Sequence, residues 1–125
     1  LINEFRGTYF SFDEFKTILE KQNNVSIYVL EDIESKKLVG AGTLLFETKF
    51  NHYISLYAHI EDIIIKKEYR KYGYGKMLIE NLIKVCKQKK SYKILLDCDQ
   101  ELESFYEKCG FQNKGNQMVI YCNHN

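Results

Sequence analysis

The most informative segment of this chain is Arg70-Lys71-Tyr72-Gly73-Tyr74-Gly75-Lys76. It follows an apolar, strand-like run at residues 59–65 and precedes a helix-like run that begins near residue 74. The start of a helix presents unpaired backbone N–H groups and the positive end of the helix dipole. The glycines let an anion approach the backbone, and the basic side chains add positive charge. The sequence therefore predicts a binding loop for a phosphorylated cofactor between a strand and a helix.

The composition fits a single domain over residues 1–125. The formal net charge is +1, which gives no support for a role at nucleic acids or membrane surfaces. No apolar run approaches the roughly 20 residues of a membrane-spanning helix, and we find no signal peptide. We therefore expect a cytoplasmic protein with no nucleic-acid partner and no membrane partner.

The four cysteines are spread along the second half of the chain: Cys86, Cys98, Cys109 and Cys122. None forms a C-x-x-C pair, and their spacing is not that of a zinc site. Cysteines within apolar patterns usually behave as small hydrophobic residues. We expect reduced thiols and no metal.

The periodicity of apolar residues predicts the element order αβββαβαβ. The first helix begins at a capping box, Ser11-Phe12-Asp13-Glu14. The later elements are expected at residues 25–33, 38–47 and 56–66 (strands), 75–90 (helix), 92–98 (strand), 101–108 (helix) and 117–122 (strand). This order is typical of a layered α/β domain.

The third predicted strand carries two adjacent acids, Glu61 and Asp62, inside an apolar run. Adjacent acids break the alternation of a strand, and burying them is costly unless they are paired. A β-bulge would accommodate both, and bulges are frequent beside active sites. We expect a bulge here and a functional role for at least one of the two carboxylates.

Three blocks accompany the glycine loop: His59-Ile60-Glu61-Asp62-Ile63, Tyr92-Lys93-Ile94-x-Leu96-Asp97-Cys98 and Phe105-Tyr106-Glu107-Lys108-Cys109-Gly110-Phe111. The loop pattern Arg70-x-x-Gly73-x-Gly75 resembles the acyl-CoA loop of the GNAT acetyltransferase superfamily. With the three blocks, residues from about 25 to about 118 resemble its glucosamine-6-phosphate N-acetyltransferase family. The resemblance implies a mixed, mostly antiparallel central sheet flanked by helices, with the family's N-terminal strand and helix absent or truncated in this sequence. It also implies a homodimer.

The resemblance further implies an activity. Acetyl-CoA would acetylate the 2-amino group of D-glucosamine 6-phosphate, giving N-acetyl-D-glucosamine 6-phosphate and CoA for UDP-N-acetylglucosamine synthesis. Cys109 ends a short helix and has no histidine base nearby in the sequence, so nothing marks it as an acyl-carrying nucleophile. We favour direct attack in a ternary complex.

The resemblance implies two kinds of catalytic residue. Tyr106 would protonate the leaving thiolate, because a phenol is protonated at neutral pH. Glu61 and Asp62 would share the acceptor side: one takes the amine proton, directly or through water, and the other orients the sugar. A backbone carbonyl with solvent is the alternative proton acceptor. A backbone N–H of residues 61–64 would stabilise the oxyanion.

The expected cofactor contacts are Asp62, Ile63, Ile64, Arg70, Lys71, Tyr72, Gly73, Tyr74, Gly75, Lys76 and Tyr106. The expected substrate contacts are Lys49, His52, Glu61, Asp62, Tyr92 and Lys93. Among these, the lysines and His52 are candidates for the sugar phosphate. His59 reads as a packed or structural residue.

Three positions depart from the family pattern. Phe5 stands near the place of a substrate-contacting Thr, Leu102 replaces an Asn, and Tyr121 occupies the place of a phosphate-binding Arg. These departures leave open a GNAT enzyme for another amine, such as a polyamine, an aminoglycoside or a protein N-terminus. A non-catalytic acyl-CoA-binding module is a third hypothesis, against which Tyr106 and the Glu61-Asp62 pair argue.

Overall fold

The computed structural model describes residues 12–21, 23–51 and 53–122. Three positions discussed above, Phe5, the capping residue Ser11 and the substrate candidate His52, lie outside the described residues. None of the helices in these ranges has the length and the apolar composition of a membrane span.

The described chain forms seven helices and strands, besides two short 3₁₀ turns at Lys67–Tyr69 and Gln100–Leu102. They are α1 (Phe12–Glu20), β1 (Val25–Glu31), β2 (Leu38–Lys49), β3 (Ser55–Ile65), α2 (Tyr74–Gln88), β4 (Lys93–Leu95) and α3 (Glu103–Lys108). The sheet has the order β1-β2-β3-β4, with antiparallel β1–β2 and β2–β3 pairs and a parallel β3–β4 pair. This confirms the predicted mixed, mostly antiparallel sheet with helices.

The final strand predicted at residues 117–122 is wrong. These residues form no strand in the described structure, and the side chains of Met118, Ile120 and Tyr121 are 90%, 90% and 92% exposed. A strand needs a neighbour to pair its backbone N–H and C=O groups, and the segment has none among the described residues. β4 is likewise shorter than predicted, with three residues rather than seven.

The core lies between α2 and one face of the sheet. The helix contributes Leu78, Ile79, Leu82 and Cys86, and the sheet contributes Leu44, Ala58 and Ile60. These side chains are at most 2% exposed. Their spacing along α2 is the apolar stripe that the sequence predicts, so the position of α2 on the sheet is determined by burial.

β3 contains the predicted bulge at Asp62. The β2–β3 register runs Thr43↔Glu61 and then Ala41↔Ile64. Two β3 residues, Asp62 and Ile63, therefore oppose the single residue Gly42. Asp62 takes φ +51°, a left-handed conformation that Asp tolerates better than most side chains.

The bulge decides which side chains reach the core. Ile63 packs against the α2 cluster, as Ile60 does three residues earlier. Without the extra residue, side chains three apart in a strand would point to opposite faces. Glu61, which pairs with Thr43, is left on the face opposite α2.

Pairing between β3 and β4 ends early. The parallel ladder runs from Tyr57↔Lys93 to His59↔Leu95, while β3 continues to Ile65. Beyond His59, this edge of β3 has no strand partner among the described residues. An open edge of this kind can bond another extended chain.

Gly40 lies where the β2 and β3 backbones approach closely. A Cβ at Gly40 would lie 2.8 Å from the Ile64 carbonyl oxygen and 2.6 Å from Ile65 Cδ1. Because backbone cannot give way cheaply, Gly40→Ala should lower the free energy of unfolding by about 1–3 kcal/mol. Urea denaturation measures this change.

Gly75→Ala is the matched control for that prediction. A Cβ at Gly75 would make only an ordinary contact, 3.5 Å from Phe105 Cζ. We expect no loss of stability in this variant, because alanine also favours the helix. Equal destabilisation by the two substitutions would contradict the close β2–β3 approach.

Candidate active site

The glycine loop begins α2 as the sequence predicts. Gly73 is the N-cap residue of α2 and takes φ +83°, which glycine adopts without strain. The first bond of the helix runs from the Met77 N–H to the Gly73 carbonyl, at 3.1 Å. The N–H groups of Tyr74, Gly75 and Lys76 therefore precede the helical ladder. This helix start is suited to an anion.

Two basic side chains of the loop, those of Arg70 and Lys76, have partners within the protein. Arg70 Nε donates to the Ile65 carbonyl at 2.8 Å and so ties the loop to the end of β3. Lys76 Nζ lies 3.8 Å from Glu80 Oε1, in an exposed pair. The backbone N–H of Arg70 donates to the Lys67 carbonyl at 3.3 Å. It is thus used inside the turn, and the loop's backbone donors begin after Arg70 rather than at it.

α3 lies beside the start of α2. The Phe105 ring is the nearest neighbour of the open side of Gly75. Phe105 and Tyr106 contact each other edge to face, with ring centroids 5.0 Å apart. This contact brings the helix that carries Tyr106 next to the glycine loop.

Tyr106 is a half-buried phenol with fixed surroundings. Its ring also meets Phe111 edge to face, with centroids 6.0 Å apart. Burial raises the pKa of Tyr106, and the nearby Cys98 and Cys109 raise it further. The phenol is therefore a proton donor at neutral pH.

Glu61 lies half-buried on the sheet face opposite α2. Desolvation raises the pKa of its carboxyl group, and the charges of Asp62 and Asp97 raise it further, against a smaller lowering by His59. A carboxyl group with a raised pKa suits proton transfer near neutral pH. Asp62 itself is exposed at the bulge.

Three side chains that the sequence predicts to contact the substrate surround Tyr57, a buried residue that is 6% exposed. Lys49 Nζ and Lys93 Nζ lie 5.1 and 5.5 Å from the centroid of its ring. The Tyr92 ring lies 5.8 Å from the same ring, centroid to centroid. We call Lys49, Tyr57, Tyr92 and Lys93 the basic cluster. Lys49 Nζ also lies 3.7 Å from Glu47 Oε1, so two ammonium groups and one carboxylate leave a net positive charge here that attracts anions.

The basic cluster and Glu61 lie along one strand. Tyr57, His59 and Glu61 alternate along β3, so their side chains lie on the same face. At about 3.3 Å per residue, the Cα atoms of Tyr57 and Glu61 are about 13 Å apart. A positive site and a carboxylate thus mark the two ends of one row.

Two members of this row are not among the site residues that the sequence predicts. Tyr57 is one of them, although its spacing of two and four residues from His59 and Glu61 is a signal in the sequence. His59 bonds Glu47, with 2.9 Å between His59 Nε2 and Glu47 Oε1. This pair joins β3 to β2 and depends on the strand register, which a local pattern does not contain.

Two comparisons with known proteins define the class of the chain. A model of the acetyltransferase (GNAT) family matches residues 2–111. The chain therefore belongs to the GNAT family of acetyltransferases. In agreement, the crystal structure of a Trypanosoma brucei acetyltransferase aligns with a TM-score of 0.87 at 28% identity, covering 98% of this chain and 88% of that chain.

More similar relatives carry a narrower name. The Schizosaccharomyces pombe glucosamine 6-phosphate N-acetyltransferase is 38% identical over 98 residues, which are 78% of this chain and 88% of the relative. The Arabidopsis thaliana enzyme of the same name is 36% identical over 107 residues, covering 86% and 72%. The crystal structure of an Arabidopsis thaliana glucosamine-6-phosphate N-acetyltransferase aligns with a TM-score of 0.77 at 35% identity, covering 89% and 76%. These matches confirm the resemblance given by the sequence blocks.

Across residues 12–21, 23–51 and 53–122, His, Cys, Asp and Glu side chains form no group of three or more that could hold a metal ion.

The raised pKa of Glu61 predicts a stabilising substitution. Between the ordinary carboxyl pKa and the raised value, the folded protein binds more protons than the unfolded chain, so stability falls as pH rises through that interval. Glu61→Gln removes this loss. We expect its melting temperature to exceed that of the wild type at pH 7, with a difference that shrinks below about pH 4.3.

Glu47→Gln is the control of opposite sign, measured in the same thermal scans. The hydrogen bond from His59 lowers the pKa of the Glu47 carboxyl group, so its ionised form contributes stability above the ordinary carboxyl pKa. We expect Glu47→Gln to melt below the wild type at pH 7. A loss of stability in Glu61→Gln at pH 7 would contradict the assigned burial of Glu61.

Proposed function

We propose that the protein transfers the acetyl group of acetyl-CoA to the 2-amino group of D-glucosamine 6-phosphate. The products are N-acetyl-D-glucosamine 6-phosphate and CoA. The observation that carries the proposal is the row on β3, with the basic cluster at one end and Glu61 at the other. An amino sugar phosphate has the complementary groups, a phosphate and an amine. The names of the relatives above support the same acceptor.

The cofactor is assigned to the loop and to the open edge of β3. The N–H groups at the start of α2 would hold the pyrophosphate. The pantetheine arm would extend along residues 61–65 as an added strand, because that edge has no β4 partner. The assigned contacts are Asp62, Ile63, Ile64, Arg70, Lys71, Tyr72, Gly73, Tyr74, Gly75, Lys76 and Tyr106.

In the proposed reaction the amine attacks the thioester carbonyl carbon within a ternary complex. A C–N bond forms, the C–S bond breaks, and the electron pair leaves with sulfur. Glu61 accepts the ammonium proton, directly or through one water, and Asp62 orients the sugar. A backbone N–H of the bulged segment stabilises the oxyanion. Tyr106 donates its hydroxyl proton to the leaving thiolate.

The sugar phosphate is assigned to the basic cluster. Lys49 and Lys93 supply the charge, and Tyr92 borders the site. His52 is proposed as a further phosphate contact on sequence grounds alone. An ammonium group acts on phosphate as a point charge, so two lysines from adjacent strands suit this ligand.

The assembly and setting are proposed from the family resemblance. We propose a single-domain homodimer that works in the cytoplasm and supplies UDP-N-acetylglucosamine synthesis. The exposed apolar side chains of Met118, Ile120 and Tyr121 support a partner surface, because three large apolar groups so close together are costly to leave in water.

One observation favours a second candidate acceptor. Tyr121 replaces the expected phosphate-binding Arg, and its side chain is almost fully exposed. A GNAT enzyme for another amine would not need that Arg. The acceptor must therefore be tested directly.

The test is continuous measurement of thiol release from acetyl-CoA with a panel of amines. The panel is glucosamine 6-phosphate, glucosamine, spermidine, an aminoglycoside and a peptide with a free N-terminus. We expect the highest kcat/KM with glucosamine 6-phosphate, about 10²-fold above glucosamine, because glucosamine lacks the phosphate that the two lysines of the basic cluster would contact. Preference for an amine without phosphate would overturn the proposal. Binding of acetyl-CoA without thiol release would favour a non-catalytic module.

Tyr106→Phe tests the proposed acid. The substitution removes only the hydroxyl group and keeps the ring contacts with Phe105 and Phe111. We expect kcat to fall about 10²-fold while the KM values change little. An unchanged kcat would exclude Tyr106 as the proton donor.

A further inference from the structure

His59 lies between the basic cluster and Glu61, on the same face of β3. Its side chain is 18% exposed, so it borders the surface without being immersed in solvent. His59 Nε2 and Glu47 Oε1 are 2.9 Å apart. Neither residue is used in the reaction described above.

Glu47 determines which imidazole nitrogen carries the proton. An ionised carboxylate only accepts hydrogen bonds, so His59 Nε2 must donate. The same bond is the main cause that lowers the pKa of Glu47, which keeps the carboxylate ionised at neutral pH. In the neutral imidazole, Nδ1 is then left as a hydrogen-bond acceptor.

The surroundings of His59 leave Nδ1 available. Its cross-strand neighbours are Leu45 on β2 and Leu95 on β4, and neither carries a polar side chain. Of the two ring nitrogens of His59, only Nε2 has a hydrogen-bond partner among the described residues. In the described part of strands β2, β3 and β4, the charged or titratable groups on this face are Glu47 and Lys49, Tyr57 and Glu61, and Lys93. Asp97, which follows β4, also acts on Glu61.

We propose that His59 determines specificity for the sugar, with its Nδ1 atom accepting a hydrogen bond from a hydroxyl group of the acceptor. Glu47 is the positioning residue that fixes the tautomer and the ring. In an amino sugar phosphate, the carbons that carry hydroxyl groups lie between the phosphate and the amine. His59 lies in the same way between the basic cluster, which would bind the phosphate, and Glu61, which would face the amine. This inference rests on the proposed function, because it takes the acceptor to be a sugar.

Two isosteric substitutions separate this role from a structural one. In His59→Gln, the amide nitrogen takes the place of Nε2 and keeps the bond to Glu47, but no acceptor remains at the Nδ1 position. In His59→Asn, the amide oxygen takes the place of Nδ1, and the bond to Glu47 is lost. A sugar contact and a structural contact therefore predict opposite orders for the two variants.

The measurement is steady-state kinetics at saturating acetyl-CoA, with melting temperatures as the folding control. We expect His59→Gln to raise the KM for glucosamine 6-phosphate about fivefold to tenfold, the effect of one neutral hydrogen bond. The kcat and the KM for acetyl-CoA should change less than about threefold. His59→Asn should keep a KM for the sugar nearer that of the wild type, even if it melts at a lower temperature.

Failure of the role proposed for His59 and failure of the proposed function give different results. If the wild type turns over glucosamine 6-phosphate but His59→Gln leaves its KM unchanged, or His59→Asn has the higher KM of the two, this inference alone is overturned. If the wild type acetylates no amino sugar, the proposed function fails and the inference with it. Glu47→Gln gives a further check, because an amide can pair with either tautomer; this variant also removes the ion pair of Glu47 with Lys49, whose Oε1 and Nζ atoms are 3.7 Å apart. It should raise the KM for the sugar by less than His59→Gln does.

Discussion

The β-bulge at Asp62 is the constraint on which the rest of the site depends. Two residues of β3 oppose Gly42 on β2, so the strand shifts its phase by one residue. Ile60 and Ile63 can then both pack on α2, while Glu61 stays on the other face. A regular strand would have to bury an acid or expose an isoleucine here. The bulge lets both isoleucines pack in the core and keeps Glu61 on the face of the candidate site.

Small residues on β2 make the bulged arrangement possible. A Cβ at Gly42 would lie 2.6 Å from Ile63 Cδ1 and 2.9 Å from Leu82 Cδ1. Ile63 therefore packs into the space that a side chain at Gly42 would occupy. Because α2 packs on this face and begins at the glycine loop, the packing of the core also determines where the glycine loop lies. The Arg70 bond to Ile65 ties the same loop back to β3.

Local patterns predicted the parts of the molecule that local physics determines. The apolar stripe of α2, the glycine turn before it and the bulge at Glu61-Asp62 each follow from a few adjacent residues, and all three are confirmed. The final strand at residues 117–122 was wrong because a strand requires a partner, which its own sequence does not provide. The meeting of Lys49 and Lys93 at Tyr57, and the bond between Glu47 and His59, depend on the register between strands. Only the folded sheet brings those residues together.

In the proposed function, the open edge of β3 and the start of α2 together bind acetyl-CoA. Hydrogen–deuterium exchange with and without acetyl-CoA is the decisive measurement, because both segments would offer backbone N–H groups to the cofactor. We expect slower exchange on binding at residues 61–65 and 74–76, with β1 unchanged. Protection confined to other segments, with these two unaffected, would contradict this proposal.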